Sequence, residues 1–236
     1  MAAREGVRYP KFKEHFSVLD FNAERAVPVI SLYDLPKEIS KEEVKISVCG
    51  LDCKKRFYGW NDFQKIKKVK TRMPLICQIF NWAEIIRWEG WKLKDVLESF
   101  GIADKENRYY AFYSDDGNYF ESLSRKEALD ERSLIIYGMN GEDLSHEHGG
   151  PIRLAVPFLQ GYKSVKWLCG IRSFQNDPLG IKILLAQSKT GKLAPSWKNK
   201  YGLGPLEGRV IHHERLPLQE KTESNPNNSV GSENRE

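Results

Sequence analysis

At 236 residues and a net charge of +5, the chain suits one large domain with short appendages, long enough to bury a core without disulfides or a metal staple. A hydrophobic content of 40% with 6 tryptophans points to a globular protein. Lys and Glu are interspersed rather than blocked, which argues against a dedicated nucleic-acid binder and leaves some capacity for binding anions.

Residues 1–14 are polar and read as an extended arm, without the apolar run of a signal peptide. No stretch approaches the ~20 apolar residues of a membrane span, so a cytoplasmic protein is expected. Short extended pieces are predicted at residues 16–20 and 27–30. Residues 44–48 alternate apolar and polar, a half-buried strand ended by Cys49-Gly50. A short helix is predicted from about Gly59, capped by Asn61 or Asp62. The basic run at residues 65–72 reads as a solvated surface. An apolar strand follows at 73–80, and Glu89-Gly90 marks a turn. Leu93, Val96, Leu97 and Phe100 keep helical spacing, with Gly101 as the stop.

Residues 108–113 and 119–123 form a predicted hairpin around the turn Ser114-Asp-Asp-Gly117. Residues 125–130 are helical, 133–137 a buried strand, and Asn140-Gly141 another turn. Strands are expected again at 152–156 and 168–174. Residues 181–217 mix Gly, Pro, Lys and aromatics, which suits a loop-rich cover, and the tail from 219 is polar and expected to be disordered. Many short strands with few helices give an α+β class with mixed and antiparallel sheets. The domain plan is an arm (1–14), one domain (15–218) and a tail (219–236).

The stretch 146–167 organises the chain. It holds His146, His148, a Gly-Gly-Pro turn, Arg153 inside an apolar strand, then Lys163, Ser164 and Lys166 beside Tyr162 and Trp167. Arginine seldom enters a core without a partner, so an anion is expected at Arg153. Arg153, Lys163, Lys166 and a serine hydroxyl would suit a phosphate; ordinary strand and surface chemistry remains open. Cys77 stands where an apolar strand meets a polar turn, either as a small buried hydrophobe or as a soft metal ligand. Cys49 and Cys53 with His146 and His148 have loose spacing for zinc, and the four cysteines (with Cys169) read as free thiols or ligands. His212 and His213 read as surface. Trp82, Trp88 and Trp91 read as core rather than a base-stacking platform. There is no Gly-x-Gly-x-x-Gly, no Walker sequence and no Gly-x-Ser-x-Gly.

Tyr137-Gly-Met-Asn-Gly-Glu-Asp-Leu-Ser-His-Glu-His148-Gly-Gly-Pro-Ile-Arg153-Leu-Ala-Val-Pro157, followed by Gly161-Tyr-Lys-Ser-Val-Lys-Trp167, resembles the molybdopterin-binding oxidoreductases of the sulfite oxidase class. So do Leu75-Ile-Cys77 with Arg87-Trp-Glu-Gly-Trp-Lys-Leu-Lys-Asp-Val-Leu97, and the hairpin Ser114-Asp-Asp-Gly-Asn-Tyr119-Phe-Glu-Ser-Leu123. The likeness covers about residues 16–175. It implies a sulfite oxidase-type fold and a molybdenum–molybdopterin cofactor. Cys77 would be the thiolate ligand of molybdenum, and Tyr119 a hydrogen-bond donor near the oxo groups. Ser114, His148, Arg153, Ser164 and Lys166 would hold the pterin and its phosphate, with Val165 contributing backbone and Lys163 adjacent.

The chain departs from sulfite oxidases after Cys77. Gln78-Ile-Phe-Asn-Trp82 replaces their Ala-Gly-Asn-Arg, leaving no early cation for a dianionic substrate and resembling the short prokaryotic members. No haem-binding or C-terminal dimerisation domain is recognisable, so a monomer with an external electron donor or acceptor and a small-molecule substrate is expected. Two competing readings stand beside this one. The first is a non-catalytic module that binds pterin or another phosphate-bearing ligand. The second is a nucleic-acid binder using residues 65–72.

Overall fold

The computed structural model describes residues 18–20, 29–30, 33–78, 82–181, 187–204 and 214–215. The predicted arm, the tail and His212-His213 lie outside them. The backbone gives two short paired strands, β1 (Val18–Asp20) and β2 (Val29–Ile30), where extended pieces are expected. Then come β3 (Lys45–Cys49), β4 (Lys55–Gly59), α1 (Trp60–Phe63), β5 (Lys68–Cys77), β6 (Trp82–Lys92) and α2 (Leu93–Ser99). The hairpin β7 (Tyr109–Ser114) and β8 (Phe120–Ser124) leads through α3 (Arg125–Ala128) to β9 (Leu134–Met139) and β10 (Glu142–Asp143). The chain then forms β11 (Arg153–Ala155), a 3-10 turn η1 (Gly161–Lys163), β12 (Leu168–Phe174), α4 (Pro195–Tyr201) and β13 (Glu214–Arg215).

These build the expected α+β fold around two larger sheets. One has the order β10-β9-β6-β5-β13 with β11 also on β9; the other has the order β4-β3-β12-β7-β8. In the second, β12 runs parallel to β3 and antiparallel to β7, so that sheet is mixed. A large apolar cluster gathers Ile46, Val48, Phe112 and Ile171 from the second sheet with Ile76, Trp91, Ile135 and Leu154 from the first. A smaller cluster (Val69, Met73, Ile86, Trp88, Leu134, Ile136) uses the first sheet's other residues. Strand β9 serves both clusters, and its unbroken Leu-Ile-Ile run is the pattern of a strand buried on two faces. Trp88 and Trp91 are core, as expected.

Three local readings are corrected. Glu89-Gly90 is not a turn but lies inside β6, where the register against β9 shifts. A Cβ on Gly90 would stand 2.1 Å from the Ile135 carbonyl, so the glycine marks a close backbone approach at a bulge. The basic run is not simply a solvated face, because Lys68–Cys77 is one continuous strand and Lys68 and Thr71 are buried in it. Helix α1 is capped by the Gly59 backbone, with Asp62 reaching back to accept the Gly59 N–H at 3.0 Å. Strand β4 and helix α4 have no counterpart in the pattern reading.

Asn140 and Gly141 both take positive φ, 58° and 96°, and turn β9 into β10 as a tight hairpin. Ser124 caps α3 and Glu127 returns a hydrogen bond to the Ser124 N–H, a capping box.

Candidate functional site

Three segments far apart in sequence meet at one end of the two sheets: the 114–119 turn, the 146–150 turn and the loop 161–167. Backbone hydrogen bonds fasten them together. Asp115 donates to the Trp167 carbonyl at 2.8 Å, Trp167 donates to the Gly149 carbonyl at 3.2 Å, and Leu154 on β11 donates to the Val165 carbonyl at 2.8 Å. The indole of Trp167 donates to the His146 carbonyl at 2.8 Å. Ser114 closes its own turn by donating to the Tyr119 carbonyl at 2.9 Å, and its hydroxyl is buried beside the Asp116 N–H.

Arg153 is 5% exposed and is held by backbone alone. Nη1 donates to the His148 carbonyl at 2.8 Å and Nη2 to the Ser164 carbonyl at 2.7 Å. Its ion-pair partner is no acidic side chain among the described residues, and burial pulls its pKa down to about 10, still charged at neutral pH. Lys166 lies in the same cradle and donates to the Glu147 carbonyl at 2.7 Å. Burial first, and then the charge of Arg153, lower its pKa to about 7. Gly149, at φ 95°, brings its backbone against the Lys166 stem so closely that a Cβ would stand 2.7 Å away. The Ser164 hydroxyl accepts the Val156 N–H at 3.0 Å, which pins the loop to the end of β11.

Two neighbouring cations, one buried and one half-buried, repel each other, and a bound anion relieves that cost. This donor set fits a phosphate-bearing ligand.

Cys77 closes β5 and is half-buried, a free thiol like the other three cysteines. The link between Cys77 and the cradle is η1. Gly161 at its start packs on the Ile76 carbonyl, where a Cβ would lie 3.0 Å away. Tyr119 is half-buried, and its hydroxyl donates to the Tyr162 carbonyl at 2.6 Å; desolvation of that hydroxyl, reinforced by Glu121, raises its pKa well above the ordinary phenol value. The sequence-predicted residues Cys77, Ser114, Tyr119, His148, Arg153, Ser164, Val165 and Lys166 therefore sit on segments tied to one another.

Lys163 differs. Its ammonium makes a buried ion pair with Glu121 at 2.7 Å and also donates to the Ser122 carbonyl at 3.0 Å. The anion it meets belongs to the protein. Sequence reading passed over Glu121, although it shares a strand face with Tyr119 two residues away, which is the signal that could have found it. The zinc candidates do not gather: among the described residues no three His, Cys, Asp or Glu side chains converge on a point where a metal could sit.

Fold and cradle together define an α+β protein with a cationic loop fastened through η1 to a strand that ends in a thiol. The chain belongs to the family described as the oxidoreductase molybdopterin binding domain, whose model matches residues 33–181. It is thus a molybdopterin-dependent oxidoreductase of the sulfite oxidase-like group, with molybdenum–molybdopterin as its cofactor. It is 28% identical over 159 residues to "Uncharacterized oxidoreductase YuiH" of Bacillus subtilis, covering 66% of this chain and 79% of that one. It is 28% identical over 151 residues to the "Protein-methionine-sulfoxide reductase catalytic subunit MsrP" of Ralstonia nicotianae, covering 57% of this chain but only 44% of the relative. Over 92 residues it is 38% identical to the mitochondrial sulfite oxidase of Drosophila melanogaster, 36% of this chain and 16% of that one. The fold is similar to the sulfane dehydrogenase SoxCD from Paracoccus pantotrophus, with a TM-score of 0.55 and 20% identity over 62% of this chain and 41% of that one. No helix among the described residues is long and apolar enough to cross a membrane.

Proposed function

We propose that the domain, spanning residues 15–218, holds one mononuclear molybdenum centre and exchanges an oxygen atom or electrons with a small substrate. The observation that carries this reading is the cradle of buried Arg153 and half-buried Lys166, fastened through η1 to the strand that ends in Cys77. In this reading the Cys77 thiolate ligates the metal, and Arg153 and Lys166 neutralise the phosphate. Ser114, His148, Ser164 and the Val165 backbone would line the pterin, and the Tyr119 hydroxyl would serve as a hydrogen-bond donor near the metal. When bound, the cofactor supplies two-electron redox chemistry; the protein orients it and tunes it. Electrons leave or arrive through an external protein partner.

The substrate we favour is uncharged rather than a dianion such as sulfite. The segment after Cys77 carries no cation in its sequence from Gln78 to Trp82. Lys163, on the turn that packs against Ile76, is neutralised by Glu121. A sulfoxide fits that chemistry, the group named in the MsrP relatives.

Elemental analysis of protein from a cofactor-producing host tests the assignment. The expected result is one molybdenum per chain, with turnover of sulfoxides exceeding that of sulfite or nitrate when an artificial electron carrier is supplied. Cys77→Ser is expected to abolish that turnover. Absence of molybdenum in such a preparation would overturn the reading in favour of a non-catalytic phosphate-ligand module.

A further inference from the structure

Lys163 and Glu121 are among the most deeply buried charged groups in the protein, with side chains 3% and 1% exposed. A buried ion pair is a poor source of stability, because desolvating two charges offsets most of their attraction; an apolar pair of similar size commonly serves folding as well or better. What such a pair does give is a fixed geometry, and its position here makes that geometry consequential.

The turn η1 is wedged between two functional strand ends. On one side Gly161 rests on the Ile76 carbonyl, the residue before Cys77. On the other, the Tyr119 hydroxyl reaches the Tyr162 carbonyl at 2.6 Å, and Glu121 grips Lys163 from β8. The next residue, Ser164, supplies the carbonyl that holds Arg153. Above the turn, Gly191 packs on the Lys163 stem at φ 62°, where a Cβ would stand 2.7 Å from Cγ, and the Gly191 carbonyl accepts the Gln160 N–H at 2.7 Å. On the far side of the pair, a Cβ on Gly180 would meet the Glu121 carboxylate at 2.0 Å. Glycines on both flanks leave room for the charged groups and for nothing larger.

We propose that Glu121 and Lys163 are positioning residues: their ion pair locks η1 to β8 and thereby sets Tyr119 against the Cys77 end of β5. This rests on the functional reading above. Lys163 is then not a phosphate ligand but the keystone between thiol, phenol and cradle.

The test replaces the pair with apolar residues, Glu121→Leu with Lys163→Met, in holoenzyme from a cofactor-producing host. Unfolding midpoint, amide exchange and kinetics per bound molybdenum are measured together. The cofactor-free unfolding midpoint is expected to hold or rise. Exchange of the Lys163 and Ser164 amides, which donate to the Gln160 and Gly161 carbonyls, is expected to accelerate. Turnover per molybdenum is expected to fall about a hundredfold, the scale of a small misplacement of reacting groups, with KM nearly unchanged.

Should the apolar pair not fold, Glu121→Asp keeps both charges but withdraws the carboxylate by one methylene. It is expected to lower turnover per molybdenum about tenfold. Unchanged amide protection, or turnover per molybdenum within about threefold of wild type, in the variant that folds would overturn the proposal. Wild-type protein without molybdenum would instead sink the functional reading, and the exchange measurement alone would then decide the role of the pair.

Discussion

Lys163 and Lys166 lie three residues apart on one loop, the first buried and the second half-buried, and they meet different electrostatic surroundings. Lys163 is given a carboxylate, Glu121, at 2.7 Å. Lys166 is given another cation, Arg153, and burial and that neighbour together bring its pKa to about 7. A buried charge with a built-in counterion is architecture; neighbouring cations that repel one another favour an anion beside them. The same residue type on the same loop thus faces a carboxylate in one case and a guanidinium in the other.

The largest effect expected from breaking this contrast is on the Lys163 side. Glu121→Ala strands a buried ammonium and should lower stability by about 3–5 kcal/mol in denaturant unfolding. The corresponding change near Lys166, Glu147→Ala, should stay within about 0.5 kcal/mol, because the contact there is to the Glu147 backbone carbonyl.

Next in size, Arg153→Met leaves the His148 and Ser164 carbonyls without their donor and should cost about 1–3 kcal/mol. Molybdenum content of the purified variant should fall, and the Lys166 pKa, followed by titration of the cofactor-free protein, should rise.

A smaller effect sharpens the comparison through pH. An anion in the cradle favours charged Lys166, so the affinity of the cofactor-free protein for sulfate, a dianion throughout this range, should decline above about pH 7, by at most about tenfold per pH unit. Calorimetric titration at pH 6 and 8 measures it. Equal affinities would mean that Lys166 does not contribute.

The same group also makes the stability of the cofactor-free protein depend on pH. Its Lys166 has a folded pKa below the unfolded one, so below about pH 7 both states carry the proton and the burial penalty is full. Between there and about pH 10.5 the unfolded chain binds more protons, so stability should rise with pH. Lys166→Met should flatten that rise, a difference visible in unfolding midpoints taken across the range.

Much of the fold is legible in the sequence where one period dominates. The 93–100 spacing gives α2, and the Asp-Asp-Gly turn gives the β7–β8 hairpin. Strand β12 has the bounds that its apolar run suggests. The pattern misleads where a residue answers to a partner distant in sequence. Gly90 resembles a turn residue, yet it lies mid-strand because the Ile135 carbonyl needs the space of its missing side chain. Lys68 belongs to a charged run, yet it faces Tyr137 across the sheet at 5.6 Å from the ring centre. Strand β4, polar and at a sheet edge, shows no alternation for a pattern to detect.

The site divides along the same line. Sequence by itself determined the family motifs, the two cations of the cradle and the candidate thiol, because those depend on residue type at short spacing. It also led to the expectation of an anion at Arg153, where the structure supplies the His148 and Ser164 carbonyls. Only the tertiary structure decided which lysine is which. Glu121 and Lys163 are 42 residues apart, and their pairing exists because β8 and η1 are folded against each other. Electrostatic environment is a property of distance in space, and the order of residues along the chain carries almost none of it.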